Sequence, residues 1–308
     1  MAPTLPFDAP ASDLVACDTP KDAIERLIAL YDEAHRITER RFERYLAGDN
    51  DIEAGDNAVY PYLCVVVPAE AAPQTSKLAL GQIASVSVHG STVTQPALFA
   101  GYIEEQLNRV IERFSAKIFV GRSHTPIPLT FALEKATASL TQDKRTRLQH
   151  HFHTPNLVAT NDDIVDGHYI LQRHGAMPLT LFTAERVDYS LHRIQHYTAT
   201  RPEHFQDYIL FTNYQRYVDE FVEYARGEIE AGSAEALIEP GDRITTKSSK
   251  PAGPPSAKLP QMPAYHLVQK AHKGITLVNI GVGPSNAKTI TDHLAVLRPH
   301  VWLMIGHC

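Results

Sequence analysis

Little in this sequence points toward a membrane, a metal or a nucleic acid. The three cysteines, Cys17, Cys64 and Cys308, lie far apart and never in C-x-x-C spacing, so neither a disulfide framework nor a zinc cluster is indicated and a reducing compartment fits. Positive charge is not in excess: 29 Lys and Arg stand against 35 Asp and Glu, and a net charge of −6 leaves no basic stripe for a phosphate backbone. Nucleic acid is therefore not an expected partner, and any phosphate handled is expected on a small molecule. No apolar run reaches the roughly 18 to 20 residues of a membrane span. The opening MAPTLPFDAPASDLVA is Pro-rich and acidic without a basic n-region, so no signal peptide is expected and the cytoplasm is the expected location. Internal repeats are missing as well.

What is present is ordinary globular material, 44% hydrophobic and 21% charged over 308 residues, enough for two domains. Residues 1–17 read as an irregular amino terminus. From Asp18 to Gly48 one long helix is predicted, with a cap at Asp18 or Thr19, Pro20 in the first turn and Ile24, Leu27, Ile28, Tyr31, Ala34 and Ile37 at helical spacing. VYPYLCVVV from Val59 and ASVSVHG from Ala84 read as strands, and a helix starts on Pro96 with Phe99, Ile103, Leu107 and Ile111 in phase. Lys117 to Phe131 is strand-like, but Gly121, Pro126 and Pro128 argue that it ends in a loop rather than crossing the middle of a sheet. A helix is predicted over Ala184 to Tyr197, then strand DYILF, then a helix from Asn213 to about Arg226. The pattern over residues 18–230 is that of an α+β domain.

Residues 231–263 turn Pro-, Gly-, Ser- and Lys-rich with little to bury, and read as a linker. Beyond it, strand AYHLV, strand GITLVNIGVG, helix PSNAKTITDHLAVL and strand HVWLMIG form the βαβ alternation of a parallel sheet. Residues 264–308 thus read as the first βαβ unit of an incomplete α/β domain, because three strands and one helix leave an apolar edge and both faces uncovered.

Four features carry candidate chemistry. The turn Gly281-Val282-Gly283-Pro284-Ser285 joins a strand to a helix, where backbone N–H groups favour an anion or polar ligand. It lacks the third glycine of a dinucleotide fingerprint and the Lys of a P-loop, and a tight structural turn remains the alternative. The tract Gln149-His150-His151-Phe152-His153 has no carboxylates at ligand spacing, and Asp162, Asp163 and Asp166 look like a surface loop, so no metal site is expected. In the 36 residues from Arg186, two donor clusters stand out: Arg193 with His196, Tyr197, Thr198 and Thr200, and Arg216 with Thr212, Asn213, Tyr214 and Tyr217. Such donors suit a phosphomonoester pocket. A salt-bridged surface built with Asp188, Glu203 and Asp219 accounts for the same pattern.

The runs FTNYQRYVDEF, RVDYSLHRIQHYTAT and above all ITLVNIGVGPSNAKTITDHLAVLRPHVWLMIGHC resemble the AMP nucleosidase family, more sparsely over the rest of the chain from Asp18. The resemblance implies an amino-terminal regulatory α+β domain ahead of a nucleoside phosphorylase-like catalytic domain. It implies hydrolysis of AMP to adenine and ribose 5-phosphate in purine salvage, and a homo-oligomer, expected as a hexamer. No cofactor is required; ATP, as its magnesium complex, and phosphate are implied as allosteric effectors.

Placed on the nucleoside phosphorylases, Gly281, Gly283, Pro284, Ser285 and Asn286 fall on the turn that holds the attacking phosphate, and Gly306 and His307 on a later turn of that site. Asn286 and Met304 stand where bacterial phosphorylases commonly carry arginines, and losing two charge-assisted contacts favours water over phosphate as nucleophile. A carboxylic acid that protonates the leaving purine at N7 is expected beyond Cys308, so this chain on its own is expected to lack it. The competing reading is a non-catalytic nucleotide-sensing or oligomerisation module.

Overall fold

In the computed structural model, the described residues are 10–49, 58–68, 77–78, 81–82, 88–133, 140–156, 158, 160–168, 176–251 and 259–306. The chain divides into two compact units, Met1–Asp188 and Tyr189–Cys308.

The first unit contains strands β1 (Ala11–Cys17), β2 (Val59–Val66), β5 (Val88–Thr92), β6 (Lys117–Pro126) and β7 (Met177–Pro178) in the sheet order β1-β6-β2-β5-β7, with β3 (Lys77–Leu78) and β4 (Gly81–Gln82) as a separate pair. Its helices are α1 (Pro20–Leu46), α2 (Ala100–Phe114), α3 (Leu129–Ala132) and α4 (Gln142–Arg147). Helix α1 begins as its sequence dictates: Thr19 accepts from the Asp22 N–H at 3.1 Å while Asp22 accepts from the Thr19 N–H at 3.0 Å, a reciprocal cap ahead of Pro20. Along β2 the side chains alternate. Leu63 and Val65 join Leu27 and Leu30 of α1 and Leu107 and Val110 of α2 in one core, while Tyr62 and Cys64 join Val88 and Phe119 on the opposite face.

Two expectations are corrected in this unit. Residues 11–17, read as irregular, form β1 and pair antiparallel with β6. Strand β6 crosses the sheet interior, between β1 and β2, instead of ending in a loop. Its prolines come too late to interrupt the ladder, and Gly121 lets β1 approach: a Cβ there would stand 2.4 Å from the Ser12 carbonyl oxygen.

Helix α5 (Ala184–Thr198) contains the division between the units. In the second unit, β8 (Tyr208–Thr212), β9 (Ala236–Glu239), β10 (Arg243–Thr245), β11 (Ala264–Val268), β12 (Ile275–Asn279) and β13 (Val301–Met304) form a six-stranded mixed sheet in the order β10-β9-β11-β12-β8-β13. Helix α6 (Gln215–Ala231) packs Val218, Phe221, Ala225 and Ile229 against Leu237, Tyr265, Leu267 and Leu277. Helix α7 (Pro284–Leu294) links β12 to β13.

Here too the sequence reading changes. The segment expected as linker carries β9 and β10, and β9 pairs with β11; residues 252–258 lie outside the described set. AYHLV runs antiparallel to β12 rather than parallel. Strands β12 and β13 do not neighbour each other, because β8, assigned from sequence to the first domain, pairs parallel with both. Intercalating β8 satisfies main-chain groups that an isolated βαβ unit would leave open.

Candidate functional site

The three parallel strands of the second unit end at one edge. Their turns stay in register: the Ile280 N–H donates to the Thr212 carbonyl and the Ile305 N–H to the Phe211 carbonyl, both at 2.8 Å. Beyond β13, a Cβ on Gly306 would stand 3.6 Å from the Tyr214 ring and 3.7 Å from Asn213 Oδ1. The turns after β12, β8 and β13 are therefore contiguous, at the carboxyl ends where open α/β sheets bind ligands. This brings Thr212, Asn213, Tyr214 and Gly306 together with the glycine turn, although the sequence reading had put the first three in another domain. His307 lies outside the described residues.

The turn after β12 needs its glycines. Gly281 has φ +62° and Gly283 φ +114°, the latter a conformation closed to residues with a Cβ. Val282 between them is 88% exposed. The Asn279 carboxamide oxygen accepts from the Gly281 N–H at 3.0 Å, and Asn286 Nδ2 donates to the Ile280 carbonyl at 3.0 Å. Gln261 Nε2 in turn donates to Asn286 Oδ1 at 3.1 Å. Both ends of the Asn286 side chain thus hold the turn. Pro284 opens α7, and its cap residue Gly283 supplies no side-chain acceptor, so the first-turn N–H groups, Ser285 among them, stand without a side-chain cap.

Positive charge beside these turns is sparse. Met304 on β13 is 53% exposed and carries none. Arg216 sits in the first turn of α6 with a largely exposed side chain, 3.9 Å from Glu220. Arg193 is committed elsewhere: its guanidinium lies 4.6 Å over the Tyr197 ring and Nη2 donates to the Tyr197 hydroxyl. Its Nε is buried with no hydrogen-bond partner.

The hydroxyls near Arg193 do not form a phosphate pocket. Thr198 Oγ1 donates to the Ile194 carbonyl at 2.8 Å, and Thr200 Oγ1 lies 3.0 Å from Nε2 of His266. Nδ1 of His266 lies 3.0 Å from Thr276 Oγ1. Burial holds this histidine well below its ordinary range, with His204 adding to the depression, so it is neutral and structural. The surface pairing offered as the alternative is met at Glu203, which lies 3.3 Å from Arg201 with both side chains about half exposed, and is corrected at Asp188. Asp188 is 1% exposed and belongs to no ion pair among the described residues; Arg186 pairs with Asp162 at 2.8 Å.

Asp188 instead anchors a buried network in the first unit that sequence reading missed. Its Oδ2 accepts from the Tyr60 hydroxyl and its Oδ1 from Thr94 Oγ1, both at 2.6 Å, and Thr94 Oγ1 lies 3.2 Å from the Tyr31 hydroxyl. Burial pushes the Asp188 carboxyl up to about 7, against the lowering effect of the two hydroxyls. The signal available was an acid in phase with Leu191 on a helix. Among the described residues no group of three His, Cys, Asp or Glu side chains could hold a metal ion, and no helix is long and apolar enough to cross a membrane.

Comparisons with known proteins bear on this arrangement. Residues 22–176 match the family described as bacterial AMP nucleoside phosphorylase N-terminus. The chain is 39% identical over 300 residues to the AMP nucleosidase of Escherichia coli (strain K12), covering 94% of this chain and 62% of that protein. The AMP nucleosidase of Escherichia coli O157:H7 matches with the same figures, 39% identity, 94% and 62%. The chain thus spans 62% of the length of these curated relatives. A crystal structure of AMP nucleosidase from Bacteroides thetaiotaomicron VPI-5482 shares 23% identity over 40% of each chain at a TM-score of 0.27, a likeness too slight to carry a fold argument.

Proposed function

We propose that the chain, which belongs to the family of bacterial AMP nucleoside phosphorylase amino termini, serves the hydrolysis of AMP to adenine and ribose 5-phosphate. In this reaction water adds to C1′ as the C1′–N9 bond breaks. The bonding electrons leave with the purine, which takes up a proton. The observation that carries the proposal is the cation-poor turn after β12 at the carboxyl ends of three parallel strands. Its uncapped N–H groups and helix dipole suit a polar or anionic substrate group. The resemblance to nucleoside phosphorylases sets Asn286 where they commonly carry a phosphate-binding arginine, and the Asn286 amide is spent on the turn. Water meets no such requirement.

The residues read as substrate-binding are Gly281, Gly283, Pro284, Ser285, Thr212, Asn213, Tyr214 and Gly306, with Arg216 as the cation for the 5′-phosphate. Asn286 positions the turn. Arg193 is kept from a direct role by Tyr197. The turns at residues 279–286, 212–216 and 305–306 contain no carboxylate, so the proton for the leaving purine does not come from them. The reading includes a homo-oligomer, which light scattering measures directly.

The test is product analysis. Protein expressed at the length of its relatives, given AMP with inorganic phosphate present, should release adenine and ribose 5-phosphate in equal amounts. Ribose 1,5-bisphosphate as the sugar product would show phosphorolysis and overturn the proposal. Gly283→Ala, which forces a Cβ into φ +114°, should cut AMP turnover about tenfold or more with the circular dichroism spectrum retained.

A further inference from the structure

A cavity of about 260 Å³ lies in the first unit over β6, β2, β5 and β7, smaller than the roughly 300–1,000 Å³ usual for drug-sized ligands. Ser91 and Thr92 of β5, Thr125 of β6 and Thr183 ahead of α5 bring hydroxyl groups to its lining, and Asp163 and Glu185 bring carboxylates. Among the described residues no Lys, Arg or His lines it.

The surrounding chain fixes these groups. Thr92 Oγ1 accepts from the Ala184 N–H at 2.9 Å and Ser91 Oγ from the Thr180 N–H at 3.0 Å, which ties β5 to the start of α5. Asn161 Nδ2 donates to Asp163 Oδ2 at 2.7 Å, and the Asp163 N–H donates to Asn161 Oδ1 at 3.1 Å, so the Asp163 carboxylate is held in place. A Cβ on Gly90 would collide with the Tyr62 ring, so the glycine leaves that space to the phenol. Glu185 makes no ion pair among the described residues. Its carboxylate accepts from the Thr183 hydroxyl and from its own N–H, which leaves about two of roughly four lone pairs for a ligand.

The charge of the ligand follows from this lining. Two carboxylates without a cation repel an anion. A cation donates but cannot accept, and would leave unanswered the hydroxyl protons of Thr92 and Thr125, neither of which has an acceptor among the described residues. A neutral polyhydroxyl compound does both, and two neighbouring hydroxyls match the two oxygens of one carboxylate. We propose that this cavity binds a small neutral sugar, with Glu185 accepting from a vicinal diol, Asp163 from a further hydroxyl, and Thr92 and Thr125 donating to the sugar's oxygens. The volume suits a single ring, and Ile164 and Pro178 offer apolar surface to its C–H groups.

The test is saturation-transfer NMR titration of the 308-residue chain with methyl β-D-ribofuranoside, which carries a cis diol. Saturable binding is expected, weaker by about tenfold or more for the 2-deoxy counterpart and for Glu185→Gln, which turns one acceptor oxygen into a donor. Asp163→Ala, at an exposed position where folding is not at stake, should weaken it as well. Gly283→Ala should leave it unchanged. Absence of saturable binding, equal affinity for the 2-deoxy sugar, or displacement of the sugar by putrescine at lower concentration would overturn the proposal. So would a loss on Gly283→Ala that Glu185→Gln does not share, since the sugar would then sit at the glycine turn. None of these outcomes depends on whether AMP is hydrolysed.

Discussion

Replacing Asp188 by Asn should make the protein more stable at neutral pH, and the gain should appear only as pH rises. The ordinary carboxyl value of 3.8 is raised to about 7 in the folded chain. Below both values Asp188 is protonated folded or unfolded and contributes its full stability. Between them only the unfolded chain ionises, so stability is lost as pH rises and the loss is complete above the folded value. A difference of about 3 units at about 1.4 kcal/mol per unit amounts to about 4 kcal/mol. Asn has no proton to release and escapes this loss. It also fits: Oδ1 accepts from Tyr60 while Nδ2 donates to Thr94, whose hydroxyl then turns toward Tyr31, 3.2 Å away. Urea unfolding of both proteins, followed by circular dichroism from about pH 4 to 8, should show the stability advantage of the Asp188→Asn variant over the parent growing by about 4 kcal/mol, with a slope of about one proton. A difference that stays flat with pH would refute the reasoning, since the carboxyl would then have kept an ordinary value.

Other outcomes follow from the same geometry. Gly121→Ala should cost about 1–3 kcal/mol, because the new Cβ meets the Ser12 carbonyl at 2.4 Å, and an unchanged melting temperature would contradict the β1–β6 packing. Burial pushes the Cys64 thiol up to about 12, so iodoacetamide at about pH 8 should label Cys17 in the native protein and Cys64 only after denaturation, as peptide mapping would show. In protein expressed at the length of its relatives, Arg216→Ala should lower kcat/KM for AMP by one to two orders of magnitude, the equivalent of about 1.5–3 kcal/mol, with little effect on slow adenosine cleavage. Arg193→Ala should lower both alike through lost packing on Tyr197; an AMP-selective loss there would return Arg193 to the phosphate site.

The long helices and the glycine turn were legible because their signals are local. Thr19, Asp22 and Pro20 fall within one turn, and the apolar period of α1 continues along the helix beyond them. What the sequence hid depends on partners far along the chain. Strands β9 and β10 contain only four and three residues inside a Pro- and Gly-rich stretch; they pair with each other, and β9 joins the sheet through β11, more than 20 residues on. Strand β8 looked like part of the first domain until pairing with β12 and β13 claimed it. Asp188 reads as a surface acid because its two partners stand 128 and 94 residues away.

If the turn after β12 is the substrate site proposed above, its division of labour explains how such a site does without its own cation. A glycine at φ +114° in the cap position places the first N–H groups of α7 at the strand edge, but glycine alone does not fix a turn. Asn279 and Asn286 fix it from both sides, and Gln261 fixes Asn286. Arginine in place of Asn286 would add a charge for an attacking anion but would remove the short amide that reaches the Ile280 carbonyl. The sequence has kept the amide. With the turn held by neutral groups, the proposed function assigns attraction for a substrate's own phosphate to the helix N-terminus and to Arg216, whose exposed side chain lies 3.9 Å from Glu220. On the proposed function, a site of this composition favours a substrate that brings its negative charge with it over a separate anionic nucleophile, which is the distinction between hydrolysing a nucleotide and phosphorolysing a nucleoside.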